Sequence, residues 1–123
     1  MGEPHVIHKN ELTAGQPTAG MSREEAFSTG EVWIGSATTE PGAVSGWHHH
    51  GNHDSYIYCV RGTFRVESGP SGGRVATARA GDFMRIPPQT IHRESNPSKT
   101  EQKIVIARVG SGPVVVNVDG PDQ

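Results

Sequence analysis

The residues best equipped for chemistry in this chain are its histidines. Five of the seven fall in two places, His48, His49, His50 and His53 together and His92 some forty positions later. In an extended segment the side chains at i and i+2 share a face, so His48 and His50 can converge on one point while His49 turns away. Imidazole suits zinc, iron, copper and nickel, and His92 from a neighbouring strand can complete a three-nitrogen face. A run of three histidines is also what a purification tag or a solvated loop would present. This run, however, lies mid-chain between Trp47 and a strongly β-patterned hairpin. Two further residues are candidates for a catalytic part. Glu94 alternates with His92 and could act as an acceptor beside the metal or as a general base, although a carboxylate at a strand end ordinarily faces water. Arg85, if turned inward, could pair a substrate carboxylate, with a solvent-facing position as its commoner fate.

Positioning such a cluster requires strands. The aliphatic residues are 12 Val and 7 Ile against one leucine, Leu12, and β-branched side chains fit a pleated surface better than a helix. Short β-type runs cover 32–39, 55–60, 63–67, 74–78, 83–86, 91–94, 104–109 and 114–118, mostly separated by Gly, Pro, Asn or Ser clusters, the pattern of a sandwich or barrel. Tyr56, Tyr58 and Val60 share one face of their strand, and Ser55, Ile57 and Cys59 the other. Ser55, Ile57 and Cys59 are therefore pocket candidates, with Trp47 a possible wall; a buried unpaired cysteine is most often a small hydrophobe. The expected organisation is an N-terminal arm over 1–30, a barrel over 31–118 and a tail over 119–123. Within the arm, Ser22-Arg23-Glu24-Glu25 resembles a helix capping box, so at most one helical turn is expected there. Residues 68–73 read as a flexible loop.

Composition narrows the class. At 123 residues the chain fits one domain. A formal charge of −2 with scattered Lys and Arg argues against nucleic acid as a partner. No apolar run approaches a membrane span and no leader is evident, so no membrane association is expected. With Cys59 the only cysteine, nothing points to an oxidising compartment, and a cytoplasmic setting is the default expectation.

Two motifs carry a resemblance. The stretch Gly42-x5-His48-x-His50-x4-Ser55-x6-Gly62 resembles the first motif of the cupin superfamily, and Gly81-x5-Pro87-x-Gln89-x2-His92-x3-Asn96 resembles the second, in the right order and separated as in small single-domain members. The resemblance implies an all-β fold, the double-stranded β-helix, with His48, His50 and His92 as metal ligands. It also implies a homodimer in which the N-terminal segment, with Val6, Ile7, Leu12, Met21 and Phe27, covers the partner's outer sheet. Gln89 stands where the family usually has glycine. Ser55 stands where it often has a metal-binding glutamate, and a serine hydroxyl is a poor substitute. His53, of the same strand parity, is the first candidate to replace it, then Asp54 if a bulge rotates it, then water.

A divalent transition metal held by neutral imidazoles would favour small anionic or enolate-like ligands. The leading expectation is a metal-dependent enzyme on a small acidic or enolisable molecule. Iron is the first-ranked metal and dioxygenase the first-ranked class; zinc, manganese, nickel or copper with isomerase or lyase chemistry comes next. A non-catalytic binding or sensing module and a metal-free barrel are the competing readings.

Overall fold

The Val- and Ile-rich runs pair across long sequence separations, and turns rich in glycine and proline let the chain double back between them. The structure, a computed structural model, describes residues 2–123. Eleven strands follow in order: β1 Thr13–Ala14, β2 Ser22–Ser28, β3 Val32–Thr39, β4 His48–His49, β5 Asp54–Arg61, β6 Thr63–Ser68, β7 Arg74–Arg79, β8 Phe83–Ile86, β9 His92–Ser95, β10 Gln102–Val109 and β11 Val116–Asn117. They form two antiparallel sheets, one ordered β1-β2-β3-β10-β5-β8 and the other β11-β4-β9-β6-β7. The fold is the expected all-β double-stranded β-helix.

Period-two alternation sorts the side chains. On β3 the buried residues are Trp33, Gly35, Ala37 and Thr39; on β5 they are Ser55, Ile57 and Cys59; on β10 they are Gln102, Ile104, Ile106 and Arg108. Ile57, Cys59, Ile104 and Ile106 meet Phe64, Val66 and Ala78 of the smaller sheet in the core. The inward rows are apolar at mid-length and polar at the ends. At one end Arg108 stands opposite both Ser55 and Trp33, and this end holds the histidines.

Three expectations are corrected here. Residues 13–28 do not stay outside the barrel, because β2 pairs with β3 from Ser22↔Thr38 to Ser28↔Trp33 and β1 pairs with β2. The Ser22–Glu25 segment is accordingly strand and not a capped helical turn. A register shift between Glu25 and Phe27 breaks the alternation that would have exposed β2 in the sequence. Of the arm residues meant for a partner, Met21 is buried in this chain's own core, whereas Val6 is 64% exposed. The 68–73 loop carries a 3-10 turn at Pro70–Gly72, and among the described residues no helix is long and apolar enough to cross a membrane.

Candidate metal centre

Strand β4 places His48 directly opposite His92 of β9, and His50 follows two positions on, before the turn at Gly51 and Asn52. All three rings are buried. Their centroids lie 4.4 Å (His48–His92), 5.0 Å (His48–His50) and 5.1 Å (His50–His92) apart. One nitrogen from each falls within 4.8 Å of the others, close enough for a single ion. Backbone carbonyls set the tautomers. His48 Nδ1 donates to Gly46 O at 2.9 Å, His50 Nδ1 to Val114 O at 2.8 Å and His92 Nδ1 to Thr90 O at 2.8 Å. With Nδ1 protonated on each ring, the three Nε2 lone pairs are left to face one another.

Buried donors and acceptors are ordinarily satisfied, yet His48 Nε2, His92 Nε2 and Glu94 Oε2 have no hydrogen-bond partner. Glu94 is 1% exposed, and its carboxylate oxygens lie 3.4 Å from His48 Nε2 and 3.9 Å from His92 Nε2. Its backbone is held by Ser45, whose N donates to Glu94 O at 2.7 Å while Ser45 Oγ accepts from Glu94 N at 2.8 Å. Three neutral imidazoles and one carboxylate form a donor set that fits a divalent transition metal and would satisfy all three orphaned atoms.

The electrostatics suit ligation. Burial, followed by the Arg108 charge, pushes His50 well below the ordinary imidazole range. Burial likewise lowers His92 to about 4. Burial works against the charged form of Glu94, but attraction to His48, His92 and Arg23 outweighs it and holds this carboxyl at about 2. At neutral pH His50 and His92 are therefore free bases and Glu94 is ionised.

The remaining candidates sort by strand parity. His53 is buried and its Nδ1, like those of the other three, bonds a backbone carbonyl, His50 O at 2.8 Å, but it lies outside the three-histidine group and does not replace the missing glutamate. Asp54 faces outward and accepts from Arg85 Nε at 2.9 Å. Arg85 is exposed in that pair and is removed from the catalytic candidates. Glu94, the candidate acceptor or general base, is buried beside His48 and His92 and is the carboxylate of the site. Trp47, one residue from His48 and so of opposite parity, lies under Arg93, 4.8 Å from its guanidinium, and does not wall the pocket. Ser55 faces inward with its Oγ unpartnered. Ile57 and Cys59 also face inward but belong to the apolar core, where burial raises the Cys59 thiol. His49, the outward member of the run, accepts from Gly51 N at 3.0 Å.

Two site residues were missed in the sequence. Arg108 is 1% exposed, with Nη2 3.5 Å from His50 Nε2 and its guanidinium 4.8 Å from the centre of the Trp33 ring. Its alternation with Ile104 and Ile106 was the available signal. Arg23, also buried, donates from Nη1 to Gln16 O at 2.8 Å and Thr18 Oγ1 at 2.7 Å; the resemblance of Ser22–Glu25 to a helix cap conceals its strand.

The cupin-domain family matches residues 35–108, which hold every ligand named above. The chain belongs to the cupin family. No curated protein matches it in sequence. Among solved structures, this cupin is similar to an uncharacterized conserved Klebsiella pneumoniae protein with a double-stranded β-helix domain, at TM-score 0.74 and 18% identity over 95% of this chain and 99% of the other. It is also similar to an RmlC-like cupin from Shewanella frigidimarina, at TM-score 0.68 and 21% identity over 89% and 93%. Oxalate decarboxylase from Bacillus subtilis matches at TM-score 0.70 and 21% identity, over 83% of this chain but 28% of that one. The departure at Gln89 has a structural counterpart. This residue, at φ 60°, has a left-handed backbone, the conformation that glycine adopts without strain. Bonds from its N to Gly51 O (2.9 Å) and from Nε2 to Asn52 Oδ1 (2.7 Å) offset the strain.

Proposed function

We propose that this cupin is a metal-dependent enzyme acting on a small acidic or enolisable organic molecule, with iron(II)-dependent dioxygenation as the leading reaction. The observation that carries the reading is the convergence of three buried Nε2 lone pairs beside an unpartnered, ionised Glu94. Bound iron(II) would supply redox chemistry with dioxygen, whereas manganese, zinc or nickel at the same ligands would supply Lewis acidity for lyase or isomerase chemistry. His48, His50 and His92 hold the ion, and their Nδ1 bonds to carbonyls fix the ring planes. Glu94, ionised at neutral pH, is equipped to ligate or to accept a proton. The charged groups near the centre are the buried guanidiniums of Arg23 and Arg108, the carboxylate of Glu94 and, bonded to Trp33 Nε1, that of Glu25; Arg108, with no hydrogen-bonded anion, favours an acidic substrate.

A lyase reading is the alternative favoured by a specific observation, the likeness to oxalate decarboxylase, a protein described as having Mn(II) centres. The test is elemental analysis of untagged, freshly purified protein, then oxygen-electrode and carbon dioxide assays of the iron- and manganese-loaded forms against small carboxylic acids and diketones. Oxygen uptake with iron supports the dioxygenase. Carbon dioxide release without oxygen uptake replaces it with the lyase, and the absence of stoichiometric metal removes both.

We also propose a homodimer, though on a different surface from the one the N-terminal arm suggested. The outer face of β5, β8 and β10 exposes Tyr56, Tyr58, Val105 and Phe83, the last 80% exposed. A clustered apolar face of this kind is suited to an isologous contact.

A further inference from the structure

We propose that Arg108 is the anion-binding residue of this centre and receives the carboxylate of a small organic acid whose neighbouring oxygen reaches the metal. The proposal rests on the metal reading above and adds the residue that would select the substrate.

The inference begins from an unpaired charge. Arg108 ends the inward row of β10, is 1% exposed, and has no hydrogen-bond partner at Nε or Nη1. Its remaining contacts are the Trp33 ring and the 3.5 Å approach of Nη2 to His50 Nε2. Glu94, the carboxylate of the site, attracts it through space but makes no hydrogen bond or salt bridge with it, its oxygens lying against His48 and His92. A buried guanidinium is ordinarily paired with a carboxylate or phosphate, because removing its charge from water is costly unless the donors are matched.

The register shows what is missing. Arg108 stands directly opposite Ser55, and facing residues on an antiparallel pair approach within about 5.5 Å at Cβ. Position 55 is where the motif resembled by this chain often has glutamate. Here it is a hydroxyl, itself buried and without a partner at Oγ. The chain thus keeps an inward cation facing a position that supplies no anion, beside a metal centre. Arg23 is likewise unpartnered at Nε.

A carboxylate supplied by a ligand would meet these groups together. One of its oxygens would accept from Arg108 and from Ser55 Oγ, while an adjacent oxo or hydroxyl oxygen would be available to the metal, since Nη2 of Arg108 already lies beside a ligand nitrogen. The chemical class is therefore a small 2-oxo or 2-hydroxy acid. A cleft of about 170 Å³ on the far side of the Trp33 ring is bordered by Gln16, Arg23, Glu25, Trp33 and Val114. Trp33 belongs to both cleft and site, with Arg108 stacked on its ring.

The test uses zinc-loaded protein, which is redox-inert, with pyruvate as probe and pyruvamide as its neutral counterpart, read by calorimetry in low-chloride buffer. Wild type should bind pyruvate and not pyruvamide. Arg108→Gln should weaken pyruvate at least about tenfold while zinc content stays at one per chain. Unchanged pyruvate affinity in zinc-replete Arg108→Gln overturns the proposal. A second readout needs no variant: the Arg108 Nε–H resonance of ¹⁵N-labelled wild type should shift on titration with acetate, with or without zinc. An unmoved resonance overturns the subsite even if zinc binds fully. Conversely, a protein that binds no zinc but shows the acetate shift overturns the metal reading and upholds the subsite.

Discussion

Replacing Arg108 by methionine should make the metal-free protein more stable, which is the opposite of the usual effect of altering a fully buried residue. Burial holds the Arg108 guanidinium at about 9, against an ordinary 12.5. That difference corresponds to a cost on the order of 5 kcal/mol in the folded state at neutral pH. Methionine of similar length removes the cost. It gives up the stacking on Trp33, worth about 1–2 kcal/mol, and a weak contact to His50. Apolar replacement of imperfectly paired buried ions stabilises by about 1–4 kcal/mol, so a net gain of about 2 kcal/mol is expected. For a chain of this length, that raises Tm by roughly 8 °C. The gain should hold at every pH below 9. Because the folded value is lowered, the charged form is disfavoured only in the fold, and the penalty shrinks as pH rises from 9 toward 12.5. Urea and thermal unfolding of chelator-treated protein at pH 7 in low-anion buffer provide the measurement. A loss of 1 kcal/mol or more in Arg108→Met would refute the reasoning, showing that the guanidinium is an architectural element with partners of its own.

Replacing His50 or His92 by alanine should abolish stoichiometric metal while leaving a β-type circular dichroism spectrum, whereas His49→Ala should retain full metal and lose at most about 1 kcal/mol with its bond to Gly51; full metal in His92→Ala would remove the centre. The pH dependence follows from His92, lowered by burial to about 4. Zinc affinity should stay nearly level from pH 8 to about 5 and fall below that, and an onset at 6.5 in chelator competition would contradict the buried free base. The metal-free protein should be fully stable with respect to this group above about pH 6.5, and it should lose about 3 kcal/mol as pH falls to about 4, because the unfolded chain takes up a proton that folded His92 refuses. Light scattering at tens of micromolar should give about 26 kDa, twice the 13.1 kDa chain, and Phe83→Asp should shift it to monomer; a wild-type monomer would reject the dimer.

Period-two alternation is a local property, and what depends on it was legible in the sequence. It assigned His48 and His50 to one face and His49 to the other, turned Ser55, Ile57 and Cys59 inward, and left Tyr56 and Tyr58 outside, because a strand's pleat dictates side-chain direction whatever its neighbours are. The β-branched composition and the regular turns were enough for a sandwich or barrel, and the resemblance of the two motifs to the cupin superfamily implied the double-stranded β-helix. Only the tertiary structure decided which inward residues meet. Glu94 and His53 both have inward parity, yet Glu94 reaches His48 and His92 while a turn directs His53 Nδ1 to the His50 carbonyl. Strand β2 escaped notice because a register shift interrupts its alternation, and Arg23 was hidden with it. Arg108 was readable as inward-facing from Ile104 and Ile106. That it lacks a hydrogen-bonded anion depends on β5 bringing Ser55 opposite and on β9 turning Glu94 toward the histidines. Those pairings join positions tens of residues apart, and cross-strand register is set by the packing of the whole barrel, not by the residues on either side of the one in question.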